Sequence, residues 1–210
     1  SEDKVIFVDA TLVPLLEKIA PKLETVEKYI IINAPKGFTT NLPNTIHYED
    51  LIGEQLETID WPAIDENDAS GMCYTSGTTG MPKGVLYSHR STYLHAMTIL
   101  SPNAGNYNNN DIILLVVPQF HVMAWGFPYM CLLSGSDMVM PSLHLRPDAI
   151  IRILESEKVN KANGVPSIWR GVYEEMKKNP PKNKLALEEY LVGGSALSAS
   201  LIENFEKDFG

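Results

Sequence analysis

The chain has 210 residues, 44% hydrophobic and 20% charged, which is enough apolar material for a buried core and excludes disordered and fibrous classes. Its formal net charge of −9 argues against a nucleic-acid binder, which needs a basic surface, and suits a local basic loop that holds a small anionic nucleotide. The two cysteines, Cys73 and Cys131, both lie in apolar runs and read as buried, reduced thiols of a cytoplasmic-type protein, with no disulfide framework.

The acidic opening leads into a short apolar run at residues 5–8, a strand pattern too brief for a secretory leader. Residues 12–23 have the spacing of a helix with Pro14 in its first turn, and residues 29–32 read as a second strand. Residues 33–67, rich in Pro, Asn, Thr and acidic side chains, read as a surface connection with little functional content. Two strand patterns, 71–74 and 85–87, then bracket the most informative stretch of the chain.

That stretch is Thr75-Ser76-Gly77-Thr78-Thr79-Gly80-Met81-Pro82-Lys83-Gly84, with four hydroxyls, three glycines and one lysine in ten residues. Glycine lets backbone N–H groups approach an anion closely, hydroxyls add donors, and lysine adds a full charge. The composition of a phosphate cradle on a strand-loop-strand frame results. A Walker A loop fails position by position: five residues on from Gly77 stands Pro82, and Lys83 is followed by Gly84 where a hydroxyl is required.

Beyond the loop, residues 91–100 read as a helix, 103–110 as a turn and 112–117 as a strand buried on both faces. The apolar stretch 112–140 is interrupted by Pro118, Gln119, His121, Gly126, Pro128, Gly135 and Asp137. A spanning helix needs about 20 mostly apolar residues, so the stretch reads as strand, loop, buried helix and strand. Helix patterns follow at 148–157, 167–178 and 198–209, with a break at 179–183 and a strand at 190–192. Such alternation predicts a layered α/β fold with a mostly parallel sheet flanked by helices, organised as a single domain over residues 1–210. No Cys/His spacing supports zinc, and the terminal Asp208-Phe209-Gly210 lacks the upstream motifs of a kinase.

Three further segments follow strand patterns, and the first of them stands where an α/β sheet binds ligands. His121 follows the 112–117 strand, where imidazole could hydrogen-bond a carboxylate or acyl-phosphate oxygen. Trp125, four residues later, shares its face if a helix starts at His121. The paired Gly193 and Gly194 after the 190–192 strand let a flat ligand lie on bare backbone, and Gly164-Val165-Pro166 forms a similar turn before a helix. His89 and His95 read as surface or structural residues, and Arg90 as a partner for a nearby acid.

The segment from Tyr74 to Gly84 resembles the signature loop of the adenylate-forming, AMP-binding superfamily. Pro118-Gln119-Phe120-His121-Val122-Met123-Ala124-Trp125 and Val192-Gly193-Gly194-Ser195-Ala196-Leu197 fit the same family in the right order. The Tyr87-Ser88-His89-Arg90 stretch is most similar to medium- and long-chain fatty acyl-CoA synthetases. The resemblance covers essentially the whole chain, as the central part of a large N-terminal domain.

What the resemblance implies is an acid–CoA ligase of fatty acid metabolism, with ATP, Mg²⁺ and coenzyme A as cofactor and co-substrates. Thr75, Ser76, Gly77, Thr78, Thr79, Gly80 and Lys83 would hold the nucleotide phosphates, Thr75 would also bind Mg²⁺, and His121 and Lys83 would act in catalysis. Val122, Gly194, Ser195 and Ala196 would line the adenylate, while Trp125 would gate the acyl tunnel beside Gly164 and Val165. The family's glutamate-bearing motif, ribose-binding acid and mobile C-terminal domain with its lysine would lie outside this chain, which alone would be inactive. Small-molecule partners follow, without nucleic acid or a transmembrane segment, and peripheral membrane contact and a homodimer stay open. Other adenylate formers (an aryl-CoA ligase, a luciferase-like enzyme, a peptide-synthetase domain) and a non-catalytic nucleotide-binding scaffold are the alternatives.

Overall fold

The computed structural model describes residues 2–75 and 80–209. The chain divides into two compact units, Ser1–Ala63 and Ile64–Gly210. In the first, β1 (Val5–Asp9), β2 (Lys28–Ile32) and β3 (Thr45–His47) form a parallel sheet in that order. The helix expected over 12–23 is three pieces: a 3₁₀ turn Ala10–Leu12, α1 (Val13–Ile19) and a second 3₁₀ turn Ala20–Lys22. Pro14 sits in the first turn of α1, where no amide is required, whereas Pro21 lacks the N–H that would continue it. Val13 and Leu16 pack with Val8, Tyr29 and Ile31, but Val5 and Phe7 on the other face of β1 are 45% and 56% exposed, so this strand is not buried on both faces.

Residues 33–67 are less featureless than their composition predicts. They contain β3 and α2 (Tyr48–Gly53). A three-residue strand has no periodicity to read, and β3 exists because Ile46 pairs with Ile30 on β2.

The second unit opens with an antiparallel hairpin of β4 (Ala69–Thr75) and β5 (Lys83–Ser88), in which Thr75 pairs with Lys83 and Cys73 with Val85. Helix α3 (His89–Leu100) starts with a reciprocal cap: Ser91 N–H donates to Ser88 Oγ at 3.1 Å and Ser88 N–H to Ser91 Oγ at 3.0 Å. Arg90 finds its acid in Glu66, Nη1 to Oε1 2.6 Å.

A four-stranded parallel sheet follows, built from β6 (Ile112–Leu115), β7 (Asp137–Val139), β8 (Lys161–Gly164) and β9 (Glu189–Val192), in the order β7-β6-β8-β9. Its connections carry α4 (Val122–Trp125), α5 (Phe127–Ser134), α6 (Pro147–Ser156) and α7 (Pro166–Lys178), and α8 (Ala199–Phe209) follows β9. Side chains alternate along β6 as the pleat requires. Leu114 and Val116 join Ile150, Leu154, Trp169, Val172, Leu201 and Phe205 of α6, α7 and α8 in one core. Ile113 and Leu115 join Ala96, Phe127, Met130 and Cys131 of α3 and α5 in another. The sheet is therefore covered on both faces, the layered α/β arrangement that the strand-helix alternation predicts.

Strand β8, Lys161-Ala162-Asn163-Gly164, has almost no strand propensity, yet it is buried throughout and paired on both sides. Lys161 pins its start. Nζ donates to the carbonyls of Gly105 and Asn106, both at 3.1 Å, and lies 3.5 Å from Asp111, 3.6 Å from Glu189 and 4.5 Å from the Tyr107 ring centre. Asp111 is further held by Asn160 Nδ2 at 3.0 Å and Asn108 N–H at 2.8 Å. A buried cation and carboxylate at the amino edge of the sheet are thus fully partnered.

Candidate active site

After β6 the chain places β7 on one side, then returns to place β8 on the other, so strand order reverses between β6 and β8. In parallel sheets the crevice outside the carboxyl ends at such a reversal is where ligands bind. Three of the segments singled out in the sequence end there: His121 after β6, Gly164 and Val165 at the end of β8, and Gly193, Gly194, Ser195 and Ala196 after β9.

Several of these residues touch. Gly193 N–H donates to the Gly164 carbonyl at 3.3 Å, and a Cβ on Gly194, whose φ is +82°, would stand 3.3 Å from Val165 Cγ1. The Trp125 indole lies on Gly193 so closely that a Cβ there would be 2.8 Å from Cη2. Any larger residue at that position would have to displace the ring. Ser195, Ala196 and His121 are exposed at the same edge.

The expectation that His121 begins a right-handed helix, with Trp125 stacked on the same face, is corrected. Val122, Met123, Ala124 and Trp125 have φ of 49°, 51°, 50° and 56°, and ψ of 44° and 43° at Met123 and Ala124, so α4 is one left-handed turn. For L-residues that conformation costs about 1–2 kcal/mol each, and it persists only where surrounding contacts over-determine it. Those contacts are present. Met123 packs on Gly71 of β4, Trp125 on Gly193, and His95 Nε2 lies 3.1 Å from the Trp125 carbonyl, which makes it the protonated ring nitrogen. Gly126, with φ +77°, closes the turn against the His95 ring, 2.6 Å from a Cβ there.

The Met123–Gly71 contact joins the start of β4 to this turn, and the loop end of the hairpin lies four residues further along the strand. Thr75 and Lys83 form the last pair before the loop, both exposed, with Thr75 Oγ1 3.5 Å from the Lys83 carbonyl. Gly80 takes φ +88°, reached by glycine without steric cost. Ser76, Gly77, Thr78 and Thr79, the remaining phosphate-binding candidates, lie outside the described residues. Among the described residues no group of three or more His, Cys, Asp or Glu could hold a metal.

The model of the AMP-binding enzyme family matches residues 1–210. The chain belongs to the AMP-binding enzyme family. This AMP-binding chain is 43% identical over 211 residues to a medium-chain-fatty-acid–CoA ligase of Ectopseudomonas oleovorans, covering 100% of the chain and 38% of that protein. It is 37% identical over 209 residues to a long-chain-fatty-acid–CoA ligase of Thermus thermophilus, covering 99% of the chain and 37% of the relative. It therefore spans about two fifths of the length of these relatives. Among solved structures, a long-chain-fatty-acid–CoA ligase from Archaeoglobus fulgidus superposes with TM-score 0.83 at 18% identity, over 98% of this chain and 39% of the other, a likeness of fold.

Two residues of this edge escape a sequence reading. His95 sits thirty residues from the carbonyl it holds, with no local pattern to mark it. Asn163 lies in a segment with no strand signal, although its buried side chain binds two amides of the segment that follows β6. No helix among the described residues is long and apolar enough to cross a membrane.

Proposed function

We propose that the full-length protein activates a medium- or long-chain fatty acid with ATP, forming an acyl-adenylate and pyrophosphate, and then passes the acyl group to coenzyme A with release of AMP. The observations that carry this reading are the contacts of the His121–Trp125 turn, Trp125 on the Gly193 backbone and Met123 on Gly71 of the hairpin, at the carboxyl edge of a sheet whose strand order reverses. The names of the relatives, medium-chain- and long-chain-fatty-acid–CoA ligases, support the choice of acid.

A carboxylate is a poor electrophile, and attack of its oxygen on the α-phosphorus of ATP gives a mixed anhydride with AMP as a good leaving group. No covalent enzyme nucleophile is needed, so the protein contributes position and charge. Thr75, Ser76, Gly77, Thr78, Thr79, Gly80 and Lys83 hold the phosphates, with Lys83 offsetting charge that develops on the departing pyrophosphate. His121 hydrogen-bonds the carboxylate and then the acyl-phosphate oxygens. Val122, Gly194, Ser195 and Ala196 take the adenylate, with the exposed Gly194 offering bare backbone. Trp125, Gly164 and Val165 line the acyl path, where the indole resting on Gly193 is a ring that must shift to admit a chain.

Mg²⁺ would be held by the Thr75 hydroxyl together with phosphate and water oxygens, which agrees with the few protein ligands this ion takes, and it would supply charge neutralisation. The two buried free thiols suit a reducing, cytoplasmic compartment.

The test is acid-dependent exchange of pyrophosphate into ATP by the full-length protein, with octanoate, palmitate and benzoate, followed by thioester formation with coenzyme A. Exchange with the fatty acids and not with benzoate is expected. Preference for benzoate would reassign the enzyme to aryl acids, and absence of both exchange and Mg²⁺-dependent ATP binding would make it a scaffold.

A further inference from the structure

Asn163 is wholly buried in β8, and its side chain does what the backbone of β8 no longer can. Strand β6 pairs with β8 up to Leu115 opposite Asn163. The next two carbonyls along the chain are already engaged: Gly164, the last residue of β8, accepts from Gly193 N–H at 3.3 Å, and Val165, which caps α7, accepts from Ile168 N–H at 3.0 Å. Val116 and Val117 are buried, and their N–H groups donate instead to Asn163 Oδ1, at 3.2 and 3.3 Å. Two donors on one atom identify it as the oxygen, and Nδ2 is left without a partner among the described residues. An unpaired buried amide is uncommon, and here it accompanies an oxygen that accepts from two buried backbone donors.

We propose that Asn163 is a positioning residue for carboxylate activation: it fixes the point at which the chain leaves β6, and thereby places residues 118–121 and His121 over the reversal beside Gly164 and Val165. The inference rests on the function proposed above. It gives β8 a second task, because the strand that ends in the acyl-lining turn also aims the segment that carries the imidazole. Asn160 supplies an internal control. Its Oδ1 accepts from Ile112 N–H at 2.8 Å at the amino end of the same strand pair, remote from His121, and its Nδ2 is paired with Asp111.

The experiment compares full-length wild type with Asn163→Leu, which removes the acceptor, Asn163→Asp, which keeps it in the protonated form that burial without a partner favours, Asn163→Ser as a milder loss, and Asn160→Leu. Pyrophosphate exchange should fall about 10- to 100-fold in kcat for Asn163→Leu and by less for Asn163→Ser, with KM for ATP changed less than about 3-fold. Asn163→Asp should stay within about 3-fold of wild type, and Asn160→Leu should lose thermal stability while keeping its kcat. Hydrogen exchange at the amides of residues 116 and 117 should speed up at least about 10-fold in Asn163→Leu and not in Asn163→Asp. Wild-type kcat in Asn163→Leu, or equal losses in Asn163→Asp and Asn160→Leu, would overturn the proposal. If wild type exchanges no pyrophosphate with any acid, the functional reading fails on its own. The amide measurement then still decides Asn163: unchanged protection of residues 116 and 117 in Asn163→Leu overturns its positioning role, and lost protection upholds it.

Discussion

Single side chains at this sheet are set by what they are packed against. Cys131, buried among Phe127, Met130 and Ala96, has its thiol pushed up to about 11 from 9.0, first by burial and then by the negative charge of Asp111. Below pH 9 both folded and unfolded forms keep the proton. Between pH 9 and 11 the unfolded thiol loses it and the folded one does not, so stability falls through that window, by an amount on the order of 3 kcal/mol for this group. Alkylation by iodoacetamide at pH 8, followed by mass spectrometry, should leave Cys131 unmodified in the native protein and modify it in urea. Gly193 is fixed by the indole on its surface. Gly193→Ala would put a methyl 2.8 Å from Trp125 Cη2 and must displace the ring. Under the proposed function, KM for the fatty acid should rise about 10-fold while KM for ATP moves little, a magnitude ordinary for a methyl's worth of misfit.

At the scale of elements the left-handed turn α4 is the instructive case. Apolar side chains following a histidine read as a helix start, and the hand cannot be inferred from their spacing. It is imposed by three neighbours distant in sequence: Gly71, His95 and Gly193. Val122 is the β-branched member of the turn, at φ 49°, and is exposed, so Val122→Gly removes an unfavourable conformation and little packing. That substitution should raise stability by about 1 kcal/mol in thermal unfolding. It should also slow adenylation if the side chain bears on the nucleotide as proposed, and separating the two readouts tests whether the conformation is retained for function. Strand β8 teaches the converse lesson. A run of Lys, Ala, Asn and Gly becomes a central strand because β6 and β9 satisfy its backbone on both sides.

Across the whole molecule the sheet of the second unit has two unlike edges. Its amino edge is tied by Lys161, Asp111, Asn160 and Glu189, and its carboxyl edge ends in glycines and exposed polar groups. Lys161→Ala would leave Asp111 buried without its cation and should destabilise the protein by about 3–5 kcal/mol, measured by denaturant unfolding, whereas changing both residues to apolar ones should cost much less. The chain spans about two fifths of its relatives' length, so residues 1–210 expressed alone are expected to release no pyrophosphate from ATP with any fatty acid. Turnover by that segment would show that the remaining length is dispensable for the first step.

Local chemistry made the hairpin frame, the long helices and the glycine-rich turns readable from sequence. Short apolar runs and punctuation by Pro and Gly act within a few residues, and the ten-residue loop carries its hydroxyls, glycines and lysine in one continuous stretch. The place of His121 after the carboxyl end of a strand was also readable, because it stands shortly after the apolar run that forms β6. Only the tertiary structure decided the hand of the turn at 122–125, the strand at 161–164 and the roles of His95 and Asn163. Each of these depends on a partner thirty or more residues away, and a hydrogen bond or ring contact across such a separation exists only after the sheet has assembled.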